Sequence, residues 1–199
     1  MVPTAPASAP HVVPMRKLIL SMGVSLDGIV ARPGDNGAVG GDRPDDPALK
    51  KRKLEWMREI DLHLMGRKTY EGMATFWPKS DDAYAAPMND IPKVVFSKTL
   101  ERADWRPSRI VRGELADEIA ALKREPGKDM LAWGGAAFAQ SLSRLGLVDE
   151  YRLILVPVAL GDGLPLFKDL RAPLRLELVD AQTYESGVAL HVLRPARAA

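Results

Sequence analysis

The stretch LHLMGRKTYEGM, residues 62–73, sets the framework of this chain, because an apolar run changes abruptly into glycine, two cations and a hydroxyl. Residues 62–65 have the short apolar character of a buried strand, and residues 68–73 have that of a helix. Gly66 lies between the two. A helix that begins beside cations has the local chemistry of an anion site, because its first N–H groups are unpaired. An ordinary strand-to-helix turn is the alternative interpretation.

Short apolar segments alternate with segments of helical periodicity on both sides of this stretch. The predicted strands cover residues 16–24, 62–65, 93–97, 109–111, 129–133 and 150–160. The predicted helices begin at Pro47, Lys68, Leu115 and Ala136. Residues 76–92 are interrupted by prolines and are predicted to form a loop with at most one helical turn. Strands that alternate with helices predict parallel pairing with right-handed crossovers.

The last part of the chain shows strict apolar alternation in two runs. The alternating positions are Leu174, Leu176, Leu178, Val188, Leu190 and Val192. Because a turn at residues 185–187 separates the runs, they predict an antiparallel hairpin. The fold class is therefore α/β, with a mixed, mostly parallel sheet, helices on both faces and a C-terminal antiparallel hairpin.

The composition excludes several classes of function. Of 199 residues, 46% are hydrophobic and 27% are charged, which is typical of a globular domain. The net charge of +2 is scattered along the chain and gives no indication of nucleic acid or a membrane surface as partner. There is no cysteine, so disulfides and a thiolate nucleophile are excluded. The three histidines are not at ligand spacing, so no metal site is predicted.

The ends of the chain differ in composition from its middle. Residues 1–14 are rich in proline and alanine and are predicted to be a tail without a signal-peptide core. Residues 15–195 are predicted to form one domain, and residues 196–199 a short C-terminal tail. Because no segment has the unbroken apolar length of a membrane span, the protein is predicted to be cytoplasmic.

A second strand-to-helix junction, WGGAA at residues 133–137, resembles the first. Ligands of open α/β sheets bind at the carboxyl ends of strands, so two glycine junctions there could hold a pyrophosphate. Ser97 and Lys98 also follow a strand and could bind a further phosphate, although Lys98 could equally be a solvated surface charge. Neither junction matches the dinucleotide-binding or P-loop glycine motifs, which argues against those two classes.

Three further residues each have a structural and a functional interpretation. Asp27, in SLDG, could supply or relay a proton, but Asp-Gly is also a common turn dipeptide. Asp46 is sufficiently explained as the cap of the first helix. Trp133 is interpreted as core or as a pocket wall rather than as a nucleic-acid stacking platform, because aromatics make up only 6% of the chain.

Taken in order, five segments resemble the dihydrofolate reductase-like superfamily, and in particular the C-terminal reductase domain of the bifunctional riboflavin-biosynthesis deaminase-reductase. The segments are SLDGIVA, MGRKTYEGM, VVFSK, WGGAAF and LVDEYRLILVPVALGDGLPLF. The resemblance runs from about Arg16 to Leu193. It implies a three-layer fold around a mixed sheet of about eight strands, an extended NADPH as cofactor, and a homodimer.

The resemblance also implies roles for particular residues. The cofactor phosphates would be met by Gly66, Arg67, Lys68 and Thr69, and the adenosine 2′-phosphate by Ser97 and Lys98. The pyrophosphate and nicotinamide side would be met by Gly134, Gly135, Ala136, Ala137 and Phe138. The nicotinamide pocket would be lined by Val24, Ser25 and Ile29, with Asp27 as the catalytic residue near the substrate.

The implied activity is hydride transfer from NADPH to a small heterocyclic or sugar-derived substrate. The SLDG and GDGLPLF segments favour a reductase of the 5-amino-6-(5-phosphoribosylamino)uracil type. GRKTYEGM is more similar to dihydrofolate reductase, for which Asp45 or Asp46 would be the acid at a helix start. Dihydrofolate reduction and a non-catalytic nucleotide-binding module are therefore the alternatives.

Overall fold

The computed structural model describes residues 15–32, 39 and 46–196, which contain ten strands and five α-helices. The strands are β1 (Leu18–Ser25), β2 (Ile29–Ala31), β3 (Ile60–Gly66), β4 (Lys93–Phe96), β5 (Ser108–Val111), β6 (Asp129–Trp133), β7 (Glu150–Val156), β8 (Leu164–Pro165), β9 (Leu176–Thr183) and β10 (Ala189–Pro195). The helices are α1 (Pro47–Glu59), α2 (Arg67–Phe76), α3 (Ala85–Asp90), α4 (Leu115–Arg124) and α5 (Ala136–Arg144). The predicted tail at residues 1–14 and residues 197–199 lie outside the described residues.

Eight strands form one sheet in the order β5-β4-β3-β6-β1-β7-β10-β9. The first six are parallel to one another, and β10 is antiparallel to both β7 and β9. The predicted mixed, mostly parallel sheet with a C-terminal antiparallel hairpin is therefore confirmed. Because six parallel strands are adjacent, their carboxyl ends all lie along one edge of the sheet, which we call the carboxyl edge.

Helices cover both faces of the sheet, as predicted. On one face, Ile119 of α4 and Leu142 of α5 belong to the larger core cluster. On the other face, Met57 of α1, Tyr70 of α2 and Met88 of α3 belong to a second cluster. The helices thus bury the central strands of the sheet on both faces, whereas the edge strand β9 is mostly exposed. Loops and helix starts meet at the ends of the strands.

The structure departs from the predicted elements in two regions. The strand predicted for residues 150–160 ends at Val156, because the next residues hydrogen-bond to the loop after β1: the Leu26 N–H donates to the Val158 carbonyl oxygen at 2.9 Å. The predicted loop at residues 76–92 contains a 3₁₀ helix (Trp77–Lys79) and α3. The short strands β2 and β8, with three and two residues, are too short to produce a sequence pattern.

Candidate functional site

The two predicted glycine junctions lie side by side at the carboxyl edge. β3 and β6 are neighbours and parallel, so the end of β3 at Gly66 and the end of β6 at Trp133 face the same way. Thr69 Oγ1 donates a hydrogen bond to the Gly134 carbonyl oxygen at 2.5 Å. This bond joins the first turn of α2 to the loop that leads into α5.

Close packing explains why this contact uses glycine. Gly135 has φ +133°, which side chains rarely adopt, and a Cβ there would lie 2.6 Å from Thr69 Oγ1. A Cβ on Gly134 would lie 2.5 Å from Met22 Cε. The Phe138 ring, in the first turn of α5, lies 5.2 Å from the ring of Phe96 at the end of β4. The two junctions, residues 66–69 and 133–137, therefore pack tightly against each other, and we call them together the cradle.

The starts of α2 and α5 have no side-chain cap. Gly66 and Gly135 occupy the cap positions, and neither has a side chain that could accept from the first N–H groups. Arg67 and Lys68 are exposed in the first turn of α2, and Ala137 is exposed in the first turn of α5. Two helix starts with the positive end of the dipole at one edge have the chemistry of an anion site.

Ser97 and Lys98 follow β4 at the same edge. Ser97 Oγ accepts from the N–H groups of Thr99 and Leu100 at 3.2 and 2.9 Å, which leaves its own O–H as a donor. Lys98 Nζ lies 2.9 Å from Glu114 Oε1, and this pair is exposed. The Lys98 ammonium holds the pKa of Glu114 below its usual value. Lys98 is thus available to another anion only in competition with Glu114.

Arg112 is a further cation at this position that is not among the predicted site residues. Its Nη1 donates to the Ser97 carbonyl oxygen at 3.2 Å, and its Nη2 donates to that of Leu100 at 2.7 Å. It directly follows β5, so the rule that ligands bind at carboxyl ends of strands is the signal that would have found it. Ser97, Lys98 and Arg112 therefore form one polar corner of the carboxyl edge.

The end of β1 holds the residues predicted for the nicotinamide pocket. Ser25 Oγ accepts from the Ile29 N–H at 2.9 Å and donates to Asp27 Oδ1 at 2.5 Å, so the three residues form one compact loop. The Val24 side chain is buried in the larger core cluster. Ser25 and Ile29 therefore lie at the carboxyl edge, whereas Val24 contributes mainly to packing.

Asp27 ties two loops together. Its carboxylate accepts from the N–H groups of Gly161 at 2.8 Å and Leu160 at 3.1 Å, in the loop after β7. The hydrogen bonds from Ser25, Gly161 and Leu160 lower the pKa of Asp27 to about 2. Asp27 is consequently a carboxylate at neutral pH, without a proton to supply. These contacts fit the structural interpretation of Asp27, and its role in supplying or relaying a proton stays a prediction.

Asp46 serves as a helix cap. Its Oδ1 accepts from the N–H groups of Ala48 and Leu49 at 3.0 and 3.1 Å, and its Oδ2 accepts from the Ser186 N–H at 3.2 Å. The carboxylate is thus occupied by the start of α1 and the β9–β10 turn. Asp45, the other candidate for a substrate-binding acid, lies outside the described residues.

A buried polar contact lies below the second junction. Trp133 Nε1 donates to His63 Nδ1 at 2.9 Å, and the other ring nitrogen of His63 is 3.2 Å from the Pro87 carbonyl oxygen. Burial lowers the pKa of His63 from 6.5 to about 4. His63 is not among the predicted site residues, although a histidine inside the apolar run LHLM is a signal for a specific contact.

Two absences concern only the part of the chain that the structure describes. Within residues 15–32, 39 and 46–196, no group of three or more acidic or histidine side chains is arranged to hold a metal ion. The helices of the same residues include none that is long and apolar enough to cross a membrane.

The chain belongs to the RibD C-terminal domain family, which matches residues 16–190. The uncharacterized Bacillus subtilis protein YyaP is 34% identical over 181 residues, which cover 87% of this chain and 92% of YyaP. The uncharacterized B. subtilis protein YwjB is 26% identical over 179 residues, which cover 90% of this chain and 98% of YwjB. The resemblance to the dihydrofolate reductase-like superfamily is thereby confirmed.

Solved structures share the fold. A protein of Shewanella sp. PV-4 described as a riboflavin biosynthesis protein is similar with a TM-score of 0.73 and 24% identity, over 91% of this chain and 99% of that one. The Thermotoga maritima diaminohydroxyphosphoribosylaminopyrimidine deaminase/5-amino-6-(5-phosphoribosylamino)uracil reductase has a TM-score of 0.66 and 16% identity, over 92% and 57% of the two chains. Enterococcus faecalis dihydrofolate reductase has a TM-score of 0.60 and 14% identity, over 91% and 97%. The fold is dihydrofolate reductase-like, and the family supports a reductase-like function.

Proposed function

We propose that this chain is an NADPH-dependent reductase that acts on a small heterocyclic or sugar-derived substrate, with 5-amino-6-(5-phosphoribosylamino)uracil as the first candidate. The observation that carries the proposal is the pair of uncapped helix starts, α2 and α5, joined at the carboxyl edge by the hydrogen bond from Thr69 to Gly134. When bound, NADPH supplies the hydride, and the protein supplies binding and orientation.

The residues of the two junctions would hold the pyrophosphate. Because the first N–H groups of α2 and α5 have no side-chain partner, they can donate to a phosphate, and the exposed Arg67 and Lys68 add positive charge. Gly134 and Gly135 let the two junctions pack closely against each other. Thr69 would orient the loop rather than bind phosphate, since its hydroxyl hydrogen is already donated to Gly134. The cradle fits an extended dinucleotide without the glycine motifs of other nucleotide-binding folds.

The polar corner would hold the adenosine 2′-phosphate. Ser97 offers a hydroxyl hydrogen, Lys98 an ammonium and Arg112 the unbonded N–H groups of its guanidinium. Three donors around one position suit a phosphate monoester better than a ribose hydroxyl. This assignment predicts a preference for NADPH over NADH.

At the other end, the nicotinamide would lie near Ser25, Ile29, Ala136, Ala137 and Phe138. Asp27 takes part by holding the loop after β7 against the loop after β1. These two hydrogen bonds make Asp27 a positioning residue in this proposal, and its role in handling a proton stays a prediction. The predicted homodimer stays a prediction, which sedimentation at several protein concentrations would test.

Binding and turnover are measured separately to test this function. NADPH binding is followed by fluorescence titration, and its oxidation by the loss of near-ultraviolet absorbance, with the aminopyrimidine substrate and with dihydrofolate in turn. Turnover of the aminopyrimidine would support the first candidate, and turnover of dihydrofolate would identify the alternative. Binding of NADPH without turnover of either would indicate a nucleotide-binding module. Failure to bind NADPH would overturn the proposal.

A further inference from the structure

Trp133 is the last residue of β6 and stands directly before the glycine cradle. Its side chain is half-buried and packs on the face that carries α1, α2 and α3. On the neighbouring strand β1, the residue in register is Ser21, which has a small side chain. The indole therefore adjoins the carboxyl edge on one side and the protein core on the other.

His63 fixes the orientation of the Trp133 indole through a hydrogen bond. The side chain of His63 has no exposed surface. Because the indole N–H can only donate, Nδ1 of His63 must accept, and its hydrogen must be on Nε2, which donates to the Pro87 carbonyl oxygen. Both ring nitrogens are therefore in use, and the two rings are held 5.7 Å apart at an angle of 56°.

A histidine at position 63 is explained by its hydrogen bonds with Trp133 and Pro87 rather than by packing alone. Leu62, Leu64 and Met65 occupy the adjacent positions of β3, and a leucine at position 63 would leave the Trp133 N–H without its acceptor. What the buried histidine adds is one fixed orientation of the Trp133 ring.

We propose that Trp133 is the wall on which a flat heteroaromatic ring of the substrate stacks, and that His63 is a positioning residue that holds this wall in place. The inference rests on the proposed function, since it takes the substrate to lie beside Gly134 and Gly135. Aromatic side chains bind planar rings through their faces, and a wall with a single orientation loses little entropy when a ring binds to it. Pyrimidinones and pteridines are the ring systems that this wall suits.

The experiment compares four variants at the two positions. Trp133→Leu removes the ring, and Trp133→Phe keeps a ring without the N–H. His63→Leu removes the acceptor, whereas His63→Gln retains an amide oxygen for the indole and an N–H for Pro87. Trp77→Leu is the matched control, because Trp77 is also half-buried but follows the far end of α2. Circular dichroism checks that each variant is folded.

Two readouts separate stacking from general damage. Calorimetry measures binding of 5,6-diaminouracil and of dihydrofolate, with and without NADPH, and steady-state kinetics measures KM and kcat. We expect Trp133→Leu to weaken the ring ligand by about tenfold or more and to raise KM, with NADPH affinity changed less than about twofold. His63→Leu should raise KM by a smaller factor, and His63→Gln should restore it. Trp77→Leu should change neither quantity.

The outcomes distinguish this inference from the proposed function. If the wild-type protein binds NADPH but neither ring ligand, or if Trp133→Leu binds the ring as well as wild type does, the stacking wall is overturned and the cofactor site stands. If wild type binds a ring but no NADPH, the proposed function falls, while loss of that ring in Trp133→Leu still supports the wall. Equal KM values for His63→Leu and His63→Gln would overturn the positioning role.

Discussion

The start of α1 and the starts of α2 and α5 meet the same edge of the sheet but are built differently. At α1, Asp46 accepts from two N–H groups of the first turn and from Ser186. At α2 and α5, Gly66 and Gly135 provide no side chain, and the first turns stay open. Of these three helix starts, one is therefore closed by its own carboxylate and two have first N–H groups without a side-chain cap.

The difference shows how local sequence separates a structural helix start from a binding one. An aspartate before proline satisfies the N–H groups internally and also neutralises the positive end of the dipole. Glycine at the same position leaves both the N–H groups and the dipole available, and it lets a ligand approach. Substitutions that add a cap to an open helix start, or remove the cap from α1, test whether the cap decides anion binding.

The largest effect is expected from Gly135→Ala. The added Cβ would lie 2.6 Å from Thr69 Oγ1 at a backbone φ of +133°, so the hydrogen bond between the two junctions should break. If the loop before α5 shifts to relieve the clash, the first N–H groups of α5 move away from those of α2, and we expect NADPH affinity to fall by about 100-fold, or about 3 kcal/mol. Fluorescence titration with NADPH measures the change.

Gly72→Ala is the matched control for this substitution. Gly72 lies inside α2, and a Cβ there would meet nothing within 4 Å. Because alanine favours the helix, this variant should be slightly more stable and should bind NADPH like wild type. Equal affinities for Gly135→Ala and Gly72→Ala would contradict the cradle.

Gly66→Asp tests whether a carboxylate closes an open helix start. A Cβ at Gly66 would have only an ordinary contact, 3.5 Å from Phe138 Cβ, so the backbone tolerates the change. The new carboxylate should cap α2 as Asp46 caps α1 and repel the cofactor phosphates, which would weaken NADPH by about 30-fold, or about 2 kcal/mol. Gly66→Ser, which caps without charge, should lose much less. An unchanged affinity in the aspartate variant would exclude this helix start from phosphate binding.

Lys98→Ala tests the polar corner. Because the Lys98 ammonium is exposed and already paired with Glu114, its removal should weaken NADPH by only about fivefold and leave NADH nearly unchanged. Glu114→Gln, which removes the competing carboxylate, should instead strengthen NADPH. Titration with both cofactors gives the ratio of affinities. If NADPH and NADH weaken equally, Lys98 does not bind the 2′-phosphate.

The features of the fold that were predictable from sequence are those with local signals. Strand-and-helix alternation gave the parallel sheet, and Asp46 before Pro47 marked the start of α1. The glycine junctions could be predicted for the same reason, since glycine after an apolar run is a local pattern. Their common edge could also be predicted, because parallel strands of one sheet end at the same edge, whereas their direct adjacency depends on β3 lying beside β6.

The features that escaped prediction depend on contacts between distant segments. Two of the three donors to Asp27, the N–H groups of Leu160 and Gly161, come from residues more than 130 positions away, so the sequence around Asp27 contains only the contact with Ser25. The early end of β7 has the same origin, because the loop after β1 binds the residues that would have continued the strand. The pairing of His63 with Trp133 likewise spans 70 positions and depends on β3 lying beside β6.

The smallest effect on NADPH affinity is expected from Asp46→Ala, which removes a side-chain cap from α1, whereas Gly66→Asp adds one to α2. Loss of the cap should lower the melting temperature by about 3 °C and leave NADPH affinity unchanged, because this helix start is predicted to bind no phosphate.

The Leu49 and Ser186 hydrogen bonds lower the pKa of Asp46 below 3.8. The stability that Asp46 contributes is therefore fully present above that value and is lost as the pH falls through the lowered pKa, and the variant should lack this acid-dependent loss. Thermal unfolding of both proteins from neutral to acidic pH measures it, and weaker NADPH binding by Asp46→Ala would show that the closed helix start also takes part in the site.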